Sequence, residues 1–142
     1  MASMFLGATS FAGFLDNFDT SSVESMHSMF YQASSFNGQL KHWNVANVRD
    51  FSFMFYQATS FDKDLSSWHV GQAYNMNSMF EGASSFDKDL CQWANKIDMK
   101  VIFHAINMFK GTDCDMTTDP IFVGDGVTGS MCSDCITTGN RQ

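Results

Sequence analysis

One stretch of this chain, MFYQATSFDKDLSSW at residues 54–68, occurs three more times in recognisable form, each copy 25 residues from the next. Every copy keeps the same apolar positions. These are Phe5, Phe30, Phe55 and Phe80; Ala8, Ala33, Ala58 and Ala83; Phe11, Phe36, Phe61 and Phe86; Leu15, Leu40, Leu65 and Leu90; and Phe18, Trp43, Trp68 and Trp93. Five apolar columns in one register identify a repeat array, so the fold is expected to consist of copies of one 25-residue unit.

Composition narrows the class of protein. The 142 residues predict a single domain, and 44% apolar residues are enough to build a core. The net charge is −7 and the basic residues form no cluster, which argues against a nucleic-acid partner. The sequence has no apolar run long enough to span a membrane and no signal-peptide pattern. Because the chain begins inside a repeat, we interpret it as a segment of something longer.

The first half of each unit has the spacing of an amphipathic helix. In VRDFSFMFYQA at residues 48–58, the apolar residues fall three and four positions apart, and residues 23–33 repeat the pattern. Thr20, Ser21, Ser22 and Asn47 precede these segments and could cap a short helix. The sequence therefore predicts a helix of about two to three turns in each unit.

The second half of each unit predicts a short strand. In SFDKDLSSWHV, Trp68 and Val70 alternate as in a strand, so we expect one at residues 65–70. One strand and one helix cannot bury their apolar sides alone, whereas stacked copies can. The predicted fold is α/β: a right-handed, leucine-rich-repeat-like solenoid of about four 25-residue coils, each with a short strand and a short helix.

The end of the chain departs from the repeat. After Trp93 the next Met-Phe pair comes at Met108 and Phe109, 29 residues after the previous pair, so four residues are inserted. Apolar spacing predicts a longer helix at 98–110, and an irregular tail rich in Gly, Asp and Thr follows. We therefore divide one domain into a repeat part at 1–93 and a part at 94–142 with a capping helix and a cysteine-containing tail.

All the cysteines lie in the last third of the chain, and their even number suggests cross-linking. Two disulfides that lock the C-terminal cap are the favoured interpretation, and they imply an oxidising compartment. Three pairings are open. Free buried thiols and a zinc site are the alternatives, the second weakened because only one CxxC is present. The disulfide candidates are Cys91, Cys114, Cys132 and Cys135.

The unit resembles the BspA-like surface-protein repeat, a relative of the leucine-rich repeat. The resemblance rests on FNGQLKHWNVANVRDFSFMFYQATSF and FDKDLSSWHVGQAYNMNSMFEGASSF, and it covers about residues 4–93. Phe18, Phe51 and the Gln72-Ala73-Tyr74 segment depart from its pattern. The resemblance implies a solenoid, a cell-surface or extracellular setting, and a role in adhesion or protein–protein contact. It implies no catalytic residues, because the shared motif is structural.

Acidic residues recur in two of the units. Their D-K-D turns could bind Ca²⁺, which takes several oxygen ligands from neighbouring segments. A solvated turn is the simpler interpretation, because a lysine separates each pair. The weak calcium candidates are Asp62, Asp64, Asp87 and Asp89. No catalytic residue, cofactor site or confident metal site can be assigned.

The position after the Met-Phe pair should point away from the core. Tyr31, Tyr56 and Glu81 occupy it, and tyrosines on an outer face could contact a glycan or a partner protein. The tyrosines could equally be half-buried between helices. We therefore predict a non-enzymatic, extracellular or cell-surface scaffold for adhesion or protein–protein interaction. Its partner would be a protein or a glycan, with end-to-end self-assembly as a further option. The alternative is a module that binds Ca²⁺ or carbohydrate through the D-K-D turns or the tyrosines.

Overall fold

The structure, a computed structural model, describes residues 1–97, 104–115, 117–123, 126–128 and 131–133. These contain a 3₁₀-helix at Cys91–Asn95 and two strands, β1 at Ile121–Val123 and β2 at Gly126–Thr128. The two strands pair antiparallel. Residues 1–90 consist of turns and irregular segments, with single parallel bridges between successive repeats. These bridges are Ser25–Asp50, Asp50–Asn75 and Asn75–His104.

The predicted α/β, leucine-rich-repeat-like solenoid is therefore wrong. Residues 23–33 and 48–58 form no helix, and residues 65–70 form no strand. The helix predicted at 98–110 is also wrong where it can be checked, because His104 forms a bridge and residues 106–110 are turns. Residues 98–103 lie outside the described part of the chain.

Backbone amides show why no helix forms in the first half of the unit. The Tyr31 amide donates to the Ser28 carbonyl three residues before it, at 3.2 Å. The Ser28 and Phe30 amides instead donate to carbonyls of the next repeat, at Ser52 and Met54, over 3.0 and 2.8 Å. An α-helix needs each amide to reach the carbonyl four residues earlier. Alternation between a local partner and a neighbouring repeat excludes that pattern.

Left-handed residues produce this alternation. Ser28 and Gln32 have φ angles of 53° and 55°, and Phe53 and Gln57 have 58° and 53°. The amides of these left-handed residues donate to carbonyls of the next repeat, whereas the amide that follows each of them donates back to the carbonyl three residues earlier. Tight turns also bring residues three and four apart to one side. The apolar spacing thus looks helical although the backbone is not.

Phenylalanine rings form the centre of the core. Phe30 lies 5.4 Å from Phe55, and Phe55 lies 5.5 Å from Phe80, ring centre to ring centre, with nearly parallel planes. Within a repeat, Phe30 also stacks on Phe36 at 4.1 Å. All four side chains are completely buried. Each contributes roughly 1.5–3 kcal/mol through burial, so the columns join neighbouring repeats.

The tryptophans add a second set of buried side chains in three of the repeats. Each indole Nε1–H donates at 3.0 Å to a leucine carbonyl in the preceding repeat. A buried tryptophan needs a partner for this group, and the repeat supplies one in the same register every time. The pairs are Trp43 with Leu15, Trp68 with Leu40, and Trp93 with Leu65.

The segment after the last repeat packs against it. The Leu90 amide donates to the Met131 carbonyl at 3.0 Å, and Met131 is completely buried. A disulfide joins Cys114 to Cys132. The tail therefore covers the face of the last repeat, and the disulfide joins two segments of the tail to each other.

Candidate functional site

Two neighbouring columns of outward side chains run across the turns. Tyr31 and Tyr56 stack with ring centres 4.7 Å apart and planes inclined by 13°. Both rings are half-buried. Because each ring lies against its counterpart, the pair presents ring edges and hydroxyl groups to the surface. We call these residues, with the glutamines that follow them, the Tyr/Gln face.

The glutamines of the Tyr/Gln face are also paired. The Gln32 Nε2 donates to the Gln57 Oε1 at 2.8 Å, and both side chains are exposed. Both glutamines have a left-handed backbone conformation. Gly7 and Gly82 hold the same conformation at the corresponding positions of the repeats on either side. The amide pair is thus flanked by two positions without side chains.

A shallow groove of about 600 Å³ follows the glutamine column. We call it the amide groove. All of its lining residues are uncharged, although the chain carries a net charge of −7. The lining consists of Thr9, Gln32, Ser34, Gln57, Thr59, Gly82 and Ser84. Sequence reasoning missed this groove, and the available signal was a glutamine or glycine at each 25-residue step next to the tyrosines.

Glu81, the third predicted contact residue, has a different environment. Its carboxylate lies 3.3 Å from the Lys110 ammonium group, whose side chain is 65% exposed. An ion pair this exposed contributes little to stability. The structure therefore brings the two tyrosines together, whereas Glu81 pairs with a lysine.

The D-K-D turns gather around Lys88. Its ammonium group lies 2.7 Å from both the Asp62 and the Asp87 carboxylates. Hydrogen bonds from Lys88 to Asp62 and then to Asp87 raise the pKa of the lysine above its usual range. Asp64 and Asp89 each accept a backbone amide of their own turn, from Ser66 and Cys91, at 2.8 Å. A lysine thus occupies the place between the carboxylates that a calcium ion would need.

A histidine, a serine and an aspartate meet at the bridge between the second and third repeats. The Ser52 hydroxyl donates to Asp50 at 2.6 Å and lies 2.8 Å from the His27 Nδ1. In a nucleophilic triad the histidine lies between the serine and the acid. Here the serine is in the middle and is buried, 3% exposed, so this cluster is arranged for structure.

The described cysteines confirm the expectation of cross-linking in part. Cys114 and Cys132 form a disulfide, and no cysteine within the described residues is free. Cys135 lies outside them. Among the residues whose placement is given, no three His, Cys, Asp or Glu side chains form a metal-binding group. The same part of the chain contains no helix that is long and apolar enough to cross a membrane.

Comparisons with known proteins assign the chain to a family. No curated protein and no solved structure matches it. A family model described as "Mycoplasma protein of unknown function, DUF285" matches residues 1–115. This match and the disulfide are compatible with an extracellular or surface location. Since the match covers most of the 142 residues, the chain belongs to the DUF285 family of Mycoplasma proteins of unknown function.

Proposed function

We propose that this protein is a non-enzymatic scaffold at a cell surface or outside the cell, where it acts in adhesion by binding a protein or a glycan. The observation that carries the proposal is the Tyr/Gln face. Tyr31 and Tyr56 stack outward, and Gln32 and Gln57 pair beside them. The buried phenylalanines and tryptophans join the repeats, which leaves these outward side chains for a partner.

Tyrosine is well suited to such a contact. It offers a large rigid surface with a polar end, and it is enriched at the sites that dominate binding energy. The stack also holds each ring in place before a partner arrives, so little side-chain entropy is lost on binding. The resemblance to BspA-like surface repeats and the disulfide support a location outside the reducing cytoplasm.

The proposal is tested by adhesion of the purified protein to intact cells and to immobilised extracellular-matrix proteins. We expect the Tyr31→Ala/Tyr56→Ala variant to bind at least about tenfold more weakly, which is the effect of losing one contact hot spot. Tyr74→Ala is the matched control, because Tyr74 is 40% exposed and lies outside the Tyr/Gln face. Equal adhesion of both variants at equal melting temperature would contradict the proposal.

The location needs a separate experiment. The full-length protein should react with a membrane-impermeant biotinylation reagent on intact cells of its source, or be recovered from the medium. Labelling that requires cell lysis would place the protein inside the cell and overturn this part of the proposal.

A further inference from the structure

The amide groove is uncharged and combines apolar surface with hydrogen-bonding groups. Its lining offers amides from Gln32 and Gln57 and hydroxyls from Ser34 and Thr59, with no charged side chain. A charged ligand would find no counter-charge there, so the groove favours an uncharged partner with many hydroxyl or amide groups.

The glutamine pair keeps hydrogen-bonding capacity for that partner. Its internal bond uses the Gln32 nitrogen and the Gln57 oxygen. Within the described residues, this leaves the Gln32 oxygen as an acceptor and the Gln57 nitrogen as a donor. Gly7 and Gly82 flank the pair and have no side chain with which to engage these atoms. The Gln32 oxygen and the Gln57 nitrogen are therefore available to a ligand.

The serine and threonine hydroxyls also have capacity left. The Ser34 hydroxyl donates to the Thr9 carbonyl and the Thr59 hydroxyl to the Ser34 carbonyl, both at 3.4 Å. A hydroxyl that donates once can still accept through its oxygen. The groove thus presents acceptors on one side and amide groups on the other, repeated along one line.

The spacing of the repeats distinguishes between linear partners. Successive repeats are separated by 4.7 Å at the Tyr31–Tyr56 stack beside the groove, and by 5.4 to 6.1 Å between equivalent phenylalanine rings of the core. An extended polypeptide advances about 6.6 Å for each pair of residues, so it would lose register by about 0.5–2 Å at every repeat. One pyranose ring with its linkage in an extended glycan advances by a distance close to the repeat spacing. A glycan can therefore keep equivalent contacts along the groove.

We infer that the amide groove binds a neutral, linear glycan that lies along the direction of the repeats, with one sugar ring opposite each repeat. The edges and hydroxyls of Tyr31 and Tyr56 border the same path. This inference rests on the proposed adhesive function, for which it names the class of partner and the binding groove. The groove draws lining residues from all four repeats, so it accommodates about four rings.

Calorimetric titration of the purified chain with β-1,4-linked oligomers of glucose and of N-acetylglucosamine tests the inference. We expect affinity to rise with each ring up to about four and then to level off, with no binding of α-1,6-linked glucose oligomers or polyglucuronate. Gln57→Leu should weaken binding about tenfold or more. Gln72→Leu is the matched control, because it makes the same change at an exposed glutamine outside the groove.

The outcomes separate this inference from the proposed function. If the protein adheres to cells through Tyr31 and Tyr56 but binds no neutral oligomer, the glycan inference is wrong and the adhesive function stands. Equal effects of Gln57→Leu and Gln72→Leu would also overturn the inference, because the groove would then not be the site. A peptide whose binding is weakened only by Gln57→Leu would show that the groove takes polypeptide instead.

Discussion

The first repeat and the three that follow share their apolar positions but bury them to different degrees. Phe30, Phe55 and Phe80 are fully buried, whereas Phe5 is only partly buried. At the last position of the unit, Phe18 is 41% exposed and its counterpart Trp68 is 1% exposed. Within the described residues, the inner repeats contact a neighbour on both sides, and the first repeat contacts the second. The same column therefore contributes different amounts of stability in different repeats.

The first repeat also differs from the later repeats at its outward positions, where it has apolar side chains in place of polar ones. Phe14 is 90% exposed, although its counterparts in the later repeats are the polar residues Gln39, Asp64 and Asp89. Leu6 is 55% exposed where the next two repeats have tyrosine. The first repeat thus has exposed apolar side chains, whereas the inner repeats combine a buried core with a polar surface.

Removal of a central ring should have the largest effect. Phe55→Ala deletes a ring stacked on Phe30, Phe61 and Phe80, and we expect a loss of about 3–5 kcal/mol in the free energy of unfolding. Phe5→Ala is the matched change in the first repeat and should cost only about 1 kcal/mol. Urea denaturation measures both. Equal losses in the two variants would contradict the expectation that deeper burial makes Phe55 more stabilising than Phe5.

Removal of the disulfide should have the second largest effect on stability. Cys114→Ala/Cys132→Ala opens a loop of 18 residues, for which chain entropy predicts a loss of about 3 kcal/mol. The effect should be local to the covered end. We expect faster hydrogen exchange at the Leu90 amide, which bonds to Met131, and unchanged exchange at the Phe5 amide, which bonds to Met29. Uniform acceleration at both amides would contradict this separation of the two ends.

The tryptophan hydrogen bond provides a smaller test. Trp68→Phe gives this repeat the residue of the first one and leaves the Leu40 carbonyl without its indole donor. Loss of a buried hydrogen bond of this kind costs roughly 1–3 kcal/mol. Phe18→Leu should change stability by less than about 0.5 kcal/mol because Phe18 is exposed. Thermal melting with near-ultraviolet circular dichroism would detect both the loss and the change in packing.

Much of the core follows from the sequence, because a buried column needs an apolar residue in every copy. Phe30, Phe55 and Phe80 are buried as their 25-residue spacing predicts. The backbone conformation could not be predicted in the same way. Tight turns and helices both bring residues three and four apart to one side. In addition, the side chains of Ser28 and Phe53 do not indicate that these residues are left-handed.

One signal for the turns was nevertheless present. The column that contains Gln32 and Gln57 has glycine at 7 and 82, and glycine is favoured where φ is positive. Whether the tyrosines face outward or lie half-buried could not be decided from the sequence, and they form a half-buried stack. The amide groove could not be found from residue types alone, since its shape depends on where the turns place two separate columns.

Those glycines allow a finer comparison of the first and inner repeats. Alanine at Gly7 or Gly82 forces a left-handed residue, which costs about 1–2 kcal/mol. At Gly82 the new Cβ would also lie 3.0 Å from the Gln57 Cγ, whereas at Gly7 it meets nothing within 4 Å. We therefore expect Gly82→Ala to melt at a lower temperature than Gly7→Ala. The two should become equal in a Gln57→Ala background, and a persistent difference would rule out this contact as the cause.

The D-K-D turns, which the first repeat lacks, should give the smallest effect. Lys88→Gln removes a half-exposed ion pair with Asp62 and Asp87, so it should cost less than about 1 kcal/mol. The raised pKa of Lys88 means that this contribution is complete below the ordinary value of 10.5 and is lost only as pH rises through the higher value. Unfolding at pH 6 and pH 9 should therefore show the same difference between variant and wild type.

Calcium distinguishes the two interpretations of these turns. With Lys88 between the carboxylates, we expect neither calcium nor a chelator to move the melting temperature of the wild-type protein. In Lys88→Gln the carboxylates lose their counter-charge, and calcium should then raise the melting temperature, because hard cations bind where several carboxylate oxygens converge. A calcium-dependent rise in the wild type would mean that the ion displaces the lysine, and the turns would be a calcium site after all.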